Sequence, residues 1–123
     1  MVQLNYGDRL RFSCSFQHRG VAYTGAKLHA AIGHGKGLIF DEILNNEITI
    51  SGIIYDAAWQ RYTVTIDIKI TSAIAGGSYE AYVKLMSIPG SDIFWYSPLD
   101  AILIGGVVEK AEFENLSVSY QKV

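Results

Sequence analysis

Three histidines, His18, His29 and His34, are the side chains most able to hold a metal or move a proton. Their spacing matches no local ligand motif: there is no HExxH and no CxxC beside them. On the strand phase set out below, His29 points outward, while His18 and His34 fall in separate loops. They read as separated surface groups. The run GHGKG, residues 33–37, has the glycine content of a phosphate-binding loop but not its order. Lys36 is followed by Gly37 and then Leu38-Ile39-Phe40, not by Ser or Thr opening a helix. It reads as a hairpin connection. Asp41, Glu42, Asp92, Asp100 and Glu112 are the acidic candidates for calcium or for paired-carboxylate hydrolysis. None belongs to an oxygen-rich local loop, and the expectation is solvated carboxylates, with no metal and no cofactor.

Cys14 is the single cysteine, so no intrachain disulfide can form. It shares a strand face with Leu10, Phe12 and Phe16, which favours a small buried hydrophobe over a nucleophile. Asn115-Leu116-Ser117 is a glycosylation sequon. The aromatic residues are the strongest candidates for function. Ile93-Phe94-Trp95-Tyr96 runs without a break, and consecutive strand residues face opposite ways. One pair, Phe94 with Tyr96 or Ile93 with Trp95, must therefore look away from a common core. Trp59 and Tyr55 flank a DAA turn and form a second aromatic spot. Flat rings at a sheet rim stack on sugars or anchor protein interfaces. The candidate partner-binding residues are thus Phe94, Trp95, Tyr96, Trp59 and Tyr55, and no catalytic residue is named. The bland alternative is that the segment plugs one end of the core.

The elements that would position these side chains are strands. In RYTVTIDIKIT, residues 61–71, Tyr62, Val64, Ile66, Ile68 and Ile70 alternate with Thr63, Thr65, Asp67, Lys69 and Thr71. Only an extended chain puts those sets on opposite sides, one wanting a core and the other water. Further strands are expected at residues 2–6, 9–17, 26–32, 47–55, 78–87, 92–98, 101–108 and 111–121. In 78–87, Tyr79, Ala81, Val83 and Leu85 face inward, and Glu80, Tyr82, Lys84 and Met86 outward. Residues 38–44 are ambiguous between strand and a helical turn. Gly52 suggests a bulge, and Pro89 ends a ladder. Turn signals recur about every 8–12 residues and no helical stripe is sustained, as in a sandwich or barrel.

The chain has 123 residues, enough for one domain, residues 1–123, with its own core. A net charge of −2 leaves no electrostatic footprint for nucleic acid. No run approaches the roughly 18 apolar residues of a membrane span. The first residues lack the basic start and apolar stretch of a signal peptide, and strand-like sequence right after Met1 suits a domain cut from a longer chain.

GDRLRFSCSFQHRG, RYTVTIDIKIT, GGSYEAYVKL and the closing FENLSVSYQKV together resemble the immunoglobulin-like β-sandwich modules of bacterial, archaeal and phage surface proteins. The antibody cysteine pair is absent. The resemblance implies an all-β antiparallel sandwich of immunoglobulin-like type, with a jelly roll second, acting as a spacer or binding module without catalytic residues. The expected function is a structural or adhesive module of an extracellular or virion assembly, on a cell or particle surface. It would bind a protein partner or itself as a homo-oligomer. A carbohydrate-binding module is the alternative, with Trp59, Trp95 and Tyr96 as the stacking platform.

Overall fold

A computed structural model describes residues 1–105 and 113–122. The described chain is all-β, with eight strands in two sheets: β1 (Val2–Leu4), β2 (Arg9–Gly20), β3 (Lys27–His34), β4 (Asp41–Thr49), β5 (Asp56–Lys69), β6 (Gly77–Met86), β7 (Ile93–Tyr96) and β8 (Ile102–Ile104). The larger sheet runs β1-β8-β6-β3-β4, and β7 pairs with β6. It is mixed, because β1 lies parallel to β8 while its other ladders are antiparallel. The second sheet is the antiparallel ribbon β2-β5. No helix among the described residues is long and apolar enough to cross a membrane.

The alternation in residues 61–71 does what its period demands. Ile66, Ile68 and Ile70 are buried against Leu28, Ala30 and Ile32 of β3 and Tyr79, Ala81 and Val83 of β6. Burial fades toward the other end of the ribbon, where Tyr62 and Val64 on β5 and Phe12, Cys14 and Phe16 on β2 are only half-buried. The long ribbon overhangs the sheet it packs on.

β7 and β8 follow one another along the same edge of β6. From Tyr82 to Tyr79 the β6 strand advances three residues, while its neighbour advances six, from Tyr96 to Ile102. Pro98 sits in the interruption, where a ladder N–H cannot be supplied. Ser97 holds the break together. Its N–H donates to Ala81 O at 2.9 Å, and the Ala81 N–H donates to its Oγ at 2.9 Å.

Several expected boundaries move. His18 lies within β2 and His34 ends β3, so neither is a loop residue. The ambiguous 38–44 region resolves into a 3-10 turn at Gly37–Ile39 followed by β4. Residues 50–55 carry only an isolated bridge, Tyr23 to Ile53, and not the expected strand. The supposed DAA turn is the start of β5, because Asp56 pairs with Gly20 across the ribbon. Tyr55 and Trp59 therefore do not flank a turn. Residues 113–122, expected to finish a strand, belong to none, and residues 106–108 and 111–112 of the last two expected strands lie outside the described residues.

Glu80 and Tyr82 depart furthest from their expected outward placement. Both are on the outer face by phase, yet both are buried. The turn after β3 and the interruption between β7 and β8 fold over Glu80, and the rings of Phe40, Tyr96 and His29 pack on Tyr82. Glu80 accepts the Gly35 N–H on Oε1 and the Asp100 N–H on Oε2, each at 2.9 Å. Gly35 has φ +107°, and a Cβ there would lie 2.4 Å from Ile39 O, so this turn requires glycine.

Candidate functional site

The two sheets meet differently along their two sides. On one side β4 approaches β5, and Asn46 Nδ2 donates to Asp67 O at 2.8 Å, closing the gap. On the other side the edges of β2 and β7 stand apart, since among the described residues neither has a further strand beyond it. Between them runs an apolar groove of about 380 Å³. Its walls are Phe12, Cys14 and Phe16 from β2 and Ile93 and Trp95 from β7, and its floor is Leu28, Val83 and Leu85. A second hollow of about 270 Å³ shares Phe16, Leu85 and Ile93 and continues to His18, Arg19 and Trp59. The two make one channel along the overhanging half of the ribbon.

The sequence explains the lining. Leu10, Phe12, Cys14 and Phe16 are the inward alternates of β2. Ile93 and Trp95 are the inward alternates of β7, opposite Leu85 and Val83. Among the described residues no strand lies outside either edge, so these side chains are flanked on one side only, as Phe16 is by Tyr62 of β5. Ile93 and Trp95 stay 59% and 52% exposed. Cys14 is half-buried in the groove, and burial pushes its thiol up from the ordinary value, so the neutral S–H form lines the wall.

The five candidate residues divide between different places. Trp95 and Phe94 both border the groove, though by strand phase Phe94 turns with Tyr96 to the opposite face of β7, where the two rings stack with centroids 6.0 Å apart. Trp59 is at the far end of the channel, with the Arg19 guanidinium 4.7 Å above its ring. Tyr55 is 66% exposed outside both cavities. Trp59, Trp95 and Tyr96 therefore do not form one flat platform. The residues that build the groove's other wall, Phe12, Cys14 and Phe16, carried no functional signal in the sequence. Their alternation reads equally well as core.

Two polar clusters stand out, one on the outer face of the larger sheet and one beside the second hollow. On the outer face, His29 Nε2 meets Glu42 Oε1 at 2.7 Å and Nδ1 meets Glu47 Oε1 at 3.2 Å, while the Tyr82 hydroxyl donates to Glu42 Oε2. Burial pushes the Glu42 carboxyl up, but hydrogen bonds from Tyr82 and His29 outweigh it and leave it below the ordinary value. The Tyr82 hydroxyl is held well above its ordinary range by burial and by Glu42. Both imidazole nitrogens are engaged by carboxylates of β4, so the ring bridges β3 and β4.

At the channel's end, the Tyr62 hydroxyl donates to Asp56 Oδ2 at 2.6 Å, and His18 Nδ1 meets the same oxygen at 2.7 Å. These bonds, Tyr62 first, hold the Asp56 carboxyl below its ordinary value. The trio ties the start of β5 to β2. An Asp-His pair is the orienting half of a hydrolytic site, but catalysis also needs a nucleophile on the free imidazole nitrogen. No hydrogen bond among the described residues brings a nucleophile to that nitrogen. Among the described residues no group of three or more His, Cys, Asp or Glu is arranged to hold a metal ion.

Comparison with protein-family models, with curated proteins and with solved structures finds no match for the chain.

Proposed function

We propose that this chain is a non-catalytic module, an immunoglobulin-like sandwich that works by binding a protein partner, copies of itself included, within an extracellular or virion assembly. The carrying observation is the open side of the sandwich: two strand edges left unpaired among the described residues, with an apolar groove between them. Exposed apolar surface rimmed by polar groups is how interaction sites present themselves. A free edge offers backbone hydrogen bonds to an added strand.

The strand order supports the immunoglobulin-like assignment. β6 lies between β7/β8 on one side and β3 then β4 on the other, the G-F-C-C′ order of such domains. β2 with β5 corresponds to the B-E pair of the facing sheet. The test is light scattering on the protein from micromolar to millimolar concentration. Particle masses above the 13.6 kDa of one chain are expected, and they should fall in the Ile93→Lys variant, whose side chain is exposed enough to spare the fold. A strict monomer at every concentration would count against self-binding.

The carbohydrate alternative rests on another face. The Phe94–Tyr96 stack, with rings 3° from parallel, lies beside Tyr82 and the Glu42 carboxyl. A glycan array should then give a signal that Phe94→Ala abolishes, and an array with none removes that function.

A further inference from the structure

We propose that residues 116–122 of one copy add as a strand along the free edge of β2 in a second copy and roof the groove between β2 and β7. This rests on the module function above and names its partner. The segment is built for one buried face. Leu116, Val118 and Tyr120 alternate with Ser117, Ser119 and Gln121, yet the three apolar side chains are 92%, 78% and 96% exposed. Such alternation in a strand with no sheet to lie on would leave its apolar face in water. Asn115 adopts φ 61°, a left-handed bend that sets the following residues off as a separate stretch.

The acceptor edge fits in three respects. The first is place. In the A-B-E-D order of an immunoglobulin-like sheet, the position beside B belongs to strand A. Here β1, the first strand, pairs with β8 instead, and no described residue pairs with the outer edge of β2. The second is length. Residues 11–16 of β2 line the groove, about 20 Å of extended chain, and residues 116–122 span about 23 Å at the same rise. The third is polarity. A strand placed there would turn Leu116, Val118 and Tyr120 over Phe12, Cys14 and Phe16. Its Ser and Gln side chains would continue the outer row of Ser13, Ser15 and Gln17. The segment is exposed while the groove of the same chain stays open, which is why the acceptor is a second copy. Reciprocal exchange gives a closed dimer, and one-way addition gives an open chain of copies.

Cys14, the single thiol and a groove residue, allows a direct test with full-length protein. Wild-type chain is mixed with Cys14→Ser chains carrying one added cysteine at 116, 118 or 120, or at 117 or 119. The mixture is oxidised gently, and linked peptides are identified by mass. Links from Cys14 to positions 116, 118 or 120 of the other chain, with few or none to 117 and 119, are expected. Light scattering on Val118→Lys, whose site is exposed in the single chain, should show association weakened at least about tenfold, because the lysine would enter an apolar roof. Dimers or longer species both support the proposal. Association that survives Val118→Lys with no such links overturns the added strand and leaves the module function standing. A monomer for wild type at all concentrations overturns the added strand and self-binding together, and leaves the module function only with a different protein partner. Val118→Cys in the otherwise wild-type chain is the control for folding back: a link to Cys14 formed only within one chain shows the segment on its own groove and overturns exchange.

Discussion

Glu80 gives the sharpest single-residue prediction, because its carboxylate holds two loops that no strand ladder connects. Its Oε1 receives the Gly35 N–H from the turn after β3, and its Oε2 receives the Asp100 N–H from the interruption between β7 and β8. Both bonds are 2.9 Å, and the residue is buried. Glu80→Gln keeps the shape but turns an NH2 group toward one of the two N–H donors. One donor loses its acceptor and faces another donor. Leaving a buried donor unpaired costs about 1–3 kcal/mol. A central loss of about 2 kcal/mol corresponds to a fall in Tm of roughly 6–12 °C for a domain of this size.

Glu80→Ala removes both acceptors and the Cγ methylene, the latter alone costing about 0.8 kcal/mol. It should therefore be the worse variant by about 2 kcal/mol or more. Thermal melts followed by near-ultraviolet circular dichroism, checked by urea midpoints, measure both. The reasoning fails if Gln melts within about a degree of wild type, or if Gln and Ala are equally harmful. The first outcome would mean that the loops are held by other contacts. The second would mean that neither the buried volume of the side chain nor the second bond adds to the loss of the first.

Two further variants probe the fold around the channel. A Cβ at Gly33 would stand 1.9 Å from Asp41 O, where the β3–β4 register shifts, so Gly33→Ala must push the two backbones apart. It should lower stability by about 3 kcal/mol or more, read from urea midpoints. Asp56 has its folded carboxyl depressed by Tyr62 and His18. Its contribution is complete above the unfolded value near 3.8 and is lost as pH falls through the lower folded value. Urea midpoints should drop between pH 5 and pH 2, and Asp56→Asn should drop less over that interval while starting lower at pH 7.

The sequence's two-residue period made the layers legible, and the same period hid what lies over them. Ile66, Ile68, Leu28, Ala30, Tyr79, Ala81 and Val83 are core because the alternation says so. Glu80 and Tyr82 stand on the other phase and are buried anyway, because two loops fold over Glu80 and the rings of Phe40, Tyr96 and His29 pack on Tyr82. A phase assigns a face but cannot say whether that face is covered. The start of β5 was misread for a related reason. Ala57 and Ala58 have little strand preference of their own, and the pairing of Asp56 with Gly20 overrides it. In the candidate site, Trp95 was legible as an aromatic on a strand. The groove was not, since Phe12, Cys14 and Phe16 look like core until the missing neighbour of β2 is seen.

The two sides of the sandwich contrast in how their edges are protected. The β4–β5 side is sealed by the Asn46 side chain on the Asp67 carbonyl, and the neighbouring Asp67 carboxylate is held in a two-bond pair by Arg11. Free edges are commonly defended by proline, by an inward-pointing charge, or by brevity. β2 has none of these: it runs twelve residues, contains no proline, and its inward positions from 10 to 16 are Leu10, Phe12, Cys14 and Phe16. An undefended edge of that length above an apolar groove invites pairing with any exposed strand. Residues 116–122 are an exposed strand-like stretch of matching length and polarity within the same chain. A chain carrying both halves of a ladder, neither joined to the other in one copy, lowers its free energy by joining them between copies, provided the added backbone bonds and apolar burial exceed the cost of association.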